Sequence, residues 1–290
     1  MSPMLFNLYI EHVFRMAIEE ESHGLKINGK LVNNLRYADD TAIIADNLDS
    51  LQHLLDKLNE VGTRYGLVIN VRKTNFMIVS RDSHEEAELR VGDQRVQRVS
   101  SFKYLGAMLN KKCDDDEEIK VRIGQAKNTF GRLRIYLANR DVPMDLKWRM
   151  VKCYVWPTML YGVESWSLKM KSLNRLEACE MWILRRMLRV SWTEKITNLE
   201  VLRCAGVDRE LIKTIKTRNV AYLGHILRGE KYEIPKLMIT GKIDGRRGIG
   251  RKQFSWLRNI RQWCGIGDAE TIFRLAEAGE LMDKMESGDG

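Results

Sequence analysis

The sequence predicts an α+β fold, with a mixed block of helices and short strands followed by an all-α half. Two observations carry that reading. Between residues 25 and 109, short apolar runs alternate with the turn signals Asn28-Gly29 and Gly92-Asp93. Beyond residue 117, apolar positions recur at helical spacing over long stretches. The charge divides in a similar way: residues 1–119 carry 15 Lys and Arg against 20 Asp and Glu, whereas residues 120–264 carry 31 against 12.

Taken in order, Pro3 suits a first helical position and opens a helix with the stripe Leu5, Leu8, Tyr9, Val13 and Met16, ending before Gly24. Asn28-Gly29 sets a hairpin turn after Leu25 and Ile27. Strands are expected over 31–37 and 41–45, flanking Tyr37-Ala38-Asp39-Asp40. Leu48, Leu51, Leu54, Leu55, Leu58 and Val61 then mark an amphipathic helix running to Tyr65. Short strands follow at Leu67 to Ile69, Phe76 to Val79, Leu89 to Val91, Val96 to Val99 and Phe102 to Leu109. The acidic run Asp114 to Glu118 suits a helix N-terminus, where the macrodipole favours negative charge. Helices are expected over 117–138, 144–155, 171–190, 196–204 and 208–228. A turn-prone, Gly/Arg-rich stretch at 241–252 precedes Trp256 and an acidic tail.

A chain of 290 residues that is 44% hydrophobic can bury a sizeable core, and at about 150 residues per domain it holds about two units. No apolar run reaches the roughly 18 residues of a membrane span, and the N-terminus lacks signal-peptide grammar. The expectation is an intracellular protein, nuclear or cytoplasmic, with no membrane partner. Cys113, Cys153, Cys179, Cys204 and Cys264 are odd in number and scattered, so free thiols are expected. The basic stretch 120–264 calls for a polyanion, RNA or DNA; the alternative is Arg-rich helix faces that are merely solvated. Its best phosphate contacts are Arg185, Arg186 and Arg189, and Arg246, Arg247, Arg251 and Lys252. Trp148, Tyr154, Trp156, Tyr161, Trp166, Trp182 and Trp192 either stack bases or, the commoner role at helical spacing, fill the core. His225 reads as packed or capped. Nothing specifies an oligomeric state.

Two adjacent carboxylates at a hairpin turn, Asp39 and Asp40, make an oxygen-rich site for a divalent metal of the Mg²⁺ type. Taken alone, the same tetrapeptide is an ordinary turn, because Asp is favoured there for backbone reasons. Its company changes the balance. Ser2-Pro3-Met4-Leu5-Phe6-Asn7-Leu8-Tyr9 stands upstream; Gly66-Leu67-Val68-Ile69-Asn70 with Lys73-Thr74, then Phe102-Lys103-Tyr104-Leu105-Gly106, stand downstream. In order and spacing these four blocks resemble the palm motifs of non-LTR (LINE-type) retrotransposon reverse transcriptases. The likeness continues through Leu160 to Trp166, Ala221 to Arg228, and Gly245 to Arg251 before Trp256.

That resemblance implies a partial polymerase palm, an antiparallel sheet with helices, over 1–110. It further implies thumb-like helices over 111–160 and a basic helical C-terminal region over 161–290. The implied activity is RNA-directed DNA polymerisation, a nucleotidyl transfer with Mg²⁺ held by Asp39 and Asp40. Lys73 falls near the nucleotide phosphates, with surface charge as its alternative. Ser2, Pro3 and Phe6 fall on the nucleotide side, and Tyr37 in the catalytic loop. Lys103, Tyr104 and Gly106 fall in the primer grip, with a plain core strand as the alternative. The family takes a further aspartate from a palm strand preceding the first block, and this sequence opens at that block. A complete catalytic site and fingers are therefore not expected, and the chain is expected to be an inactive relic when alone. The alternative is a non-catalytic nucleic-acid-binding protein that uses the basic helical half.

Overall fold

In the computed structural model, residues 3–19, 21–80, 87–241 and 255–287 are described. The chain divides into two compact units, one of residues 1–113 with 233–250, the other of residues 114–232 with 251–290.

In the first unit, α1 (Pro3–Phe14) continues as a π-helical turn over Arg15–Glu19. Its expected stripe is not the buried one: Leu5, Leu8 and Met16 are exposed. The helix carries a second stripe of Ile10, Val13, Phe14, Ala17 and Ile18, whose i, i+3, i+4, i+7, i+8 spacing defines a wider apolar face, and this one enters the core. β1 (Leu25–Ile27) and β2 (Lys30–Val32) pair across Asn28 and Gly29, which take φ of 49° and 76° as a tight primed turn requires. β3 (Asn34–Tyr37) pairs antiparallel with β4 (Asp40–Ile43). α2 (Leu48–Arg64) starts at Asn47, whose side chain accepts the Ser50 N–H at 2.8 Å. Leu54 of α2 packs with Phe14 and Ile18, while its neighbour Leu55 packs with Phe76, Leu89, Val91 and Val96.

The strand expected at Leu67 to Ile69 does not form. Leu67 instead donates its N–H back to the Gly62 carbonyl at 2.8 Å, closing α2 through Gly66 at φ 72°, and Val68 is exposed. Shorter strands follow: β5 (Asn75–Phe76), β6 (Arg90–Val91), β7 (Gln94–Arg95) and β8 (Gln97–Arg98). β6 and β7 pair across Gly92-Asp93, and β5 runs parallel to β8. Phe102 to Leu109, expected as one run, folds back on itself as β9 (Ser101–Tyr104) and β10 (Ala107–Asn110). The reversal at Leu105-Gly106 places both residues at positive φ. Among the described residues every ladder is two-stranded.

The second unit is helical: α3 (Asp116–Arg132), α4 (Arg134–Leu137), α5 (Met144–Met150), α6 (Trp156–Met159), α7 (Met170–Leu188), α8 (Asn198–Ala205) and α9 (Leu211–Arg228). The chain then returns to the first unit as α10 (Glu233–Thr240), where Glu233 pairs with Lys30 at 2.5 Å. It re-enters the second unit as α11 (Trp256–Trp263), α12 (Ala269–Ala278) and α13 (Leu281–Ser287). Ile119, Phe130, Val155, Trp166, Leu176, Leu184, Val201 and Ile215 belong to one buried cluster, so a single core runs across residue 160.

Several buried polar groups in this unit are paired, whereas Trp156 Nε1, Arg175 Nη1 and Glu180 Oε2 lack hydrogen-bond partners. Asn219 donates to the Val163 carbonyl at 3.1 Å and accepts the Trp256 indole N–H at 2.6 Å. Asn259 exchanges two 2.8 Å bonds with the backbone of Leu168. Glu180 Oε1 accepts the N–H groups of Glu210 and Leu211 at 3.0 and 2.9 Å, capping α9. The acidic run does open α3, and it also bonds outward: Asp115 accepts the Ser167 N–H at 2.7 Å and Asp116 accepts the Ser172 hydroxyl at 2.9 Å. All five cysteines are free thiols. Among the described residues no helix is long and apolar enough to cross a membrane.

Candidate active site

The β3–β4 ladder places Tyr37 opposite Asp40, leaving Ala38 and Asp39 as the two central residues of the turn. A turn this tight needs a residue at positive φ, and Ala38 supplies it at 54°. That conformation crowds a Cβ and costs about 1–2 kcal/mol. Tyr37, Asp39 and Asp40 are exposed at the tip. Next to Tyr37 along β3, Arg36 anchors the hairpin to α1. It pairs with Glu11 at 3.0 Å and its guanidinium lies 4.9 Å from the centre of the Phe14 ring. On the other side of the hairpin, Ile44 donates to the Asn33 carbonyl at 2.7 Å and extends the pairing.

The β9–β10 hairpin meets this one through Tyr104, whose hydroxyl donates to the Leu35 carbonyl of β3 at 3.3 Å. Partial burial pushes the Tyr104 phenol pKa up, and the negative charge of Asp40 pushes it in the same direction. Residues from two of the family-like blocks, Tyr37 with Asp40 and Tyr104, thus share one neighbourhood. Lys103 is exposed beside Tyr104, and Gly106 sits in the turn at φ 87°. Lys73 is exposed on a turn organised by Asn70, whose carbonyl accepts the Lys73 N–H at 3.0 Å and the Thr74 hydroxyl at 2.9 Å. Phe6 is half-buried on α1. Pro3 is the first residue of α1, and Ser2 lies outside the described residues.

Two adjacent carboxylates are hard oxygen donors of the kind Mg²⁺ takes, with its remaining positions left to water. Among the described residues no third carboxylate, imidazole or thiolate joins Asp39 and Asp40 in a group of metal-binding dimensions. The donor chemistry fits the ion; the protein anchors number two. Such a three-membered group does occur elsewhere, at Glu21, His23 and His53. It was not legible in the sequence because His53 belongs to α2 and only folding brings it beside Glu21 and His23.

The basic residues of the second unit sort by their partners. Arg185 donates to the Ile196 carbonyl at 2.6 Å and to Asn198 at 3.1 Å. Arg189 ends α7 at φ 59° and donates to the Ala138 carbonyl at 2.5 Å. Both tie loops of their own unit. Arg186 is exposed, with its guanidinium 5.0 Å from the centre of the half-buried Trp182 ring, and Lys127 stands 5.2 Å from the same ring. Lys127 was not legible as part of this cluster, since it comes from α3 and only folding brings it to α7. Of the other aromatics, Trp148, Trp156 and Trp166 are buried, whereas Tyr154 and Tyr161 are exposed. The Trp192 side chain, and Arg246, Arg247, Arg251 and Lys252, lie outside the described residues. His225 is exposed, not packed, with Nε2 2.7 Å from the Tyr232 hydroxyl.

Residues 1–109 match the reverse transcriptase (RNA-dependent DNA polymerase) family. A transposon-derived protein of Caenorhabditis elegans is 24% identical over 256 residues, covering 85% of this chain and 90% of that protein. The retrovirus-related Pol polyprotein of a type-2 retrotransposable element of Drosophila melanogaster is 26% identical over 136 residues. That match covers 42% of this chain and 13% of the polyprotein.

Proposed function

We propose, from the premise that residues 1–109 carry the reverse-transcriptase pattern, that this chain is a non-LTR retrotransposon reverse-transcriptase relic that engages RNA and DNA but does not extend a primer alone. The observation that carries the reading is the carboxylate hairpin, with Asp39 and Asp40 exposed at its tip and Tyr104 hydrogen-bonded to Leu35 of its first strand, inside the family-matched segment. In this reading Asp39 and Asp40 hold Mg²⁺, which supplies neutralisation of developing phosphate charge. Tyr37, Lys103, Tyr104 and Gly106 line the primer side. Lys73 meets nucleotide phosphates, and Ser2, Pro3 and Phe6 meet the nucleotide.

What supports inactivity is the two-anchor donor set. A carboxylate pair without a third protein ligand leaves the ion free to move, and misplacement of reacting groups by about 1 Å can cost about 100-fold in rate. The test is primer extension by purified 1–290 on an RNA template with dNTPs and Mg²⁺. No product above background is expected. Extension that vanishes in Asp39→Asn would overturn the inactive part of the reading and leave the polymerase part standing.

A second reading, a non-catalytic nucleic-acid-binding protein, is favoured by Trp182 with Lys127 and Arg186. Two exposed cations converging on one aromatic ring suit nucleic-acid phosphates. The charge of residues 120–264, 31 basic against 12 acidic, points the same way.

A further inference from the structure

We propose that Glu21, His23 and His53 form a binding site for a divalent transition-metal ion of the Zn²⁺ class, separate from the Asp39–Asp40 pair. One donor atom from each of the three lies within 4.8 Å of the others. His53 Nε2 is 2.9 Å from Glu21 Oε2, and the His23 and His53 rings stand 4.7 Å apart between centroids, tilted by 58°. All three side chains are half-buried, so the site is reachable by an ion yet partly shielded from water.

The donor chemistry selects the metal. Two imidazole nitrogens and one carboxylate match the borderline character of Zn²⁺, whereas Mg²⁺ prefers oxygen throughout. Three protein ligands with a fourth position open to water is a complete set for a tetrahedral ion, whose donors stand about 3.4 Å apart. The Glu21–His53 distance is already inside that spacing, and modest side-chain rotation closes the rest.

The frame around the three is fixed. His23 Nδ1 lies 3.1 Å from the hydroxyl of Ser50, which is itself buried in the first turn of α2 with its N–H held by Asn47. A hydrogen-bonded ring nitrogen of this kind orients an imidazole ligand. His53 sits on the same helix as Ser50, so both imidazoles are referred to one rigid element. After His23 the backbone is pinned at Gly24, whose φ is 148° and where any Cβ would stand 2.8 Å from Cβ of Asn33. A bound ion would therefore clip the segment preceding β1 to α2.

The experiment uses the full chain, stripped with a chelator and titrated with ZnCl₂ by calorimetry. Parallel measurements record the thermal midpoint and the visible spectrum with Co²⁺ in place of zinc. Saturable binding of one ion per chain is expected, with a rise in thermal midpoint, Co²⁺ ligand-field bands, and no thiolate charge-transfer band. Glu21→Gln, His23→Gln and His53→Gln should each weaken binding about 100-fold. Glu21→Gln keeps the shape and the bond to His53, so it tests the site even if a histidine variant fails to fold. Absence of saturable zinc binding, variants that bind like the parent, a thiolate band, or displacement of zinc by equimolar Mg²⁺ would each overturn the proposal. None of these outcomes bears on the polymerase reading, which rests on other residues.

Discussion

Tyr104 donates its phenolic hydrogen to the backbone carbonyl of Leu35 at 3.3 Å, and this bond sets β9 against the hairpin that carries the paired carboxylates. Tyr104→Phe should lower stability by about 1 kcal/mol, the net value of one such bond. Asp40→Asn should lower the Tyr104 pKa toward the ordinary phenol value, since burial remains but the neighbouring charge is gone. NMR titration of ring-labelled tyrosine checks this; an unmoved Tyr104 titration in the variant would mean that the two groups are not coupled.

Ala38 holds a left-handed conformation at the centre of the β3–β4 turn. Glycine takes that conformation without crowding, so Ala38→Gly should stabilise the first unit by up to about 1 kcal/mol, reduced by glycine's larger unfolded entropy. Ala38→Val should destabilise it. Urea unfolding of the two variants beside the parent measures both, and the opposite order would contradict the turn geometry.

Burial raises the pKa of Asp115 to about 6 against the bond from Ser167, with Asp114 and Glu118 adding repulsion and Lys169 opposing it. A carboxyl whose folded pKa exceeds its unfolded value binds protons more readily when folded. Its contribution to stability is therefore greatest at low pH and falls as pH rises through the window from 3.8 to about 6. Asp115→Asn keeps an oxygen for the Ser167 N–H and removes the charge. It should be more stable than the parent at pH 7, by about 1 kcal/mol after allowing for partial exposure, with the gap closing toward pH 4. Thermal midpoints across that range read the effect directly.

Nucleic-acid affinity should fall steeply with salt, each neutralised phosphate contributing roughly 0.7 to 0.9 to the log–log slope. Lys127→Ala with Arg186→Ala should flatten that slope by about 1.5 if both cations meet phosphates. Replacing Arg246, Arg247, Arg251 and Lys252 together should flatten it by about 3, with sequence preference unmoved because phosphate contacts do not read bases. Fluorescence anisotropy over a salt series decides, and slopes equal to the parent's would remove these residues from the interface.

Local chemistry made much of the first unit legible. Asn28-Gly29 demands positive φ and gives a hairpin, and the leucines of α2 repeat at helical spacing. Asp39 and Asp40 were placed at a hairpin tip because apolar runs on either side had to pair. What stayed hidden depended on partners remote in sequence. Leu67 to Ile69 has strand-like residues but pairs with no strand among the described residues, and the helix end claims its first N–H. The two stripes of α1 are both apolar, and only the position of α2 decides which is covered. Arg185 and Arg189 carry the same charge as Arg186, yet each finds a carbonyl within its own unit.

The return of α10 to the first unit changes how the protein must be made. Lys30, near the start of the chain, pairs with Glu233, so the first unit is finished only after most of the second has left the ribosome. Order of synthesis and order of completion are inverted, and the closing contact joins ends separated by a long loop, whose entropy grows only slowly with length. A polypeptide stopped at Cys113 lacks its own last helix, and one started at Asp114 carries a helix that belongs elsewhere. The two units can be told apart by eye but not by a single cut.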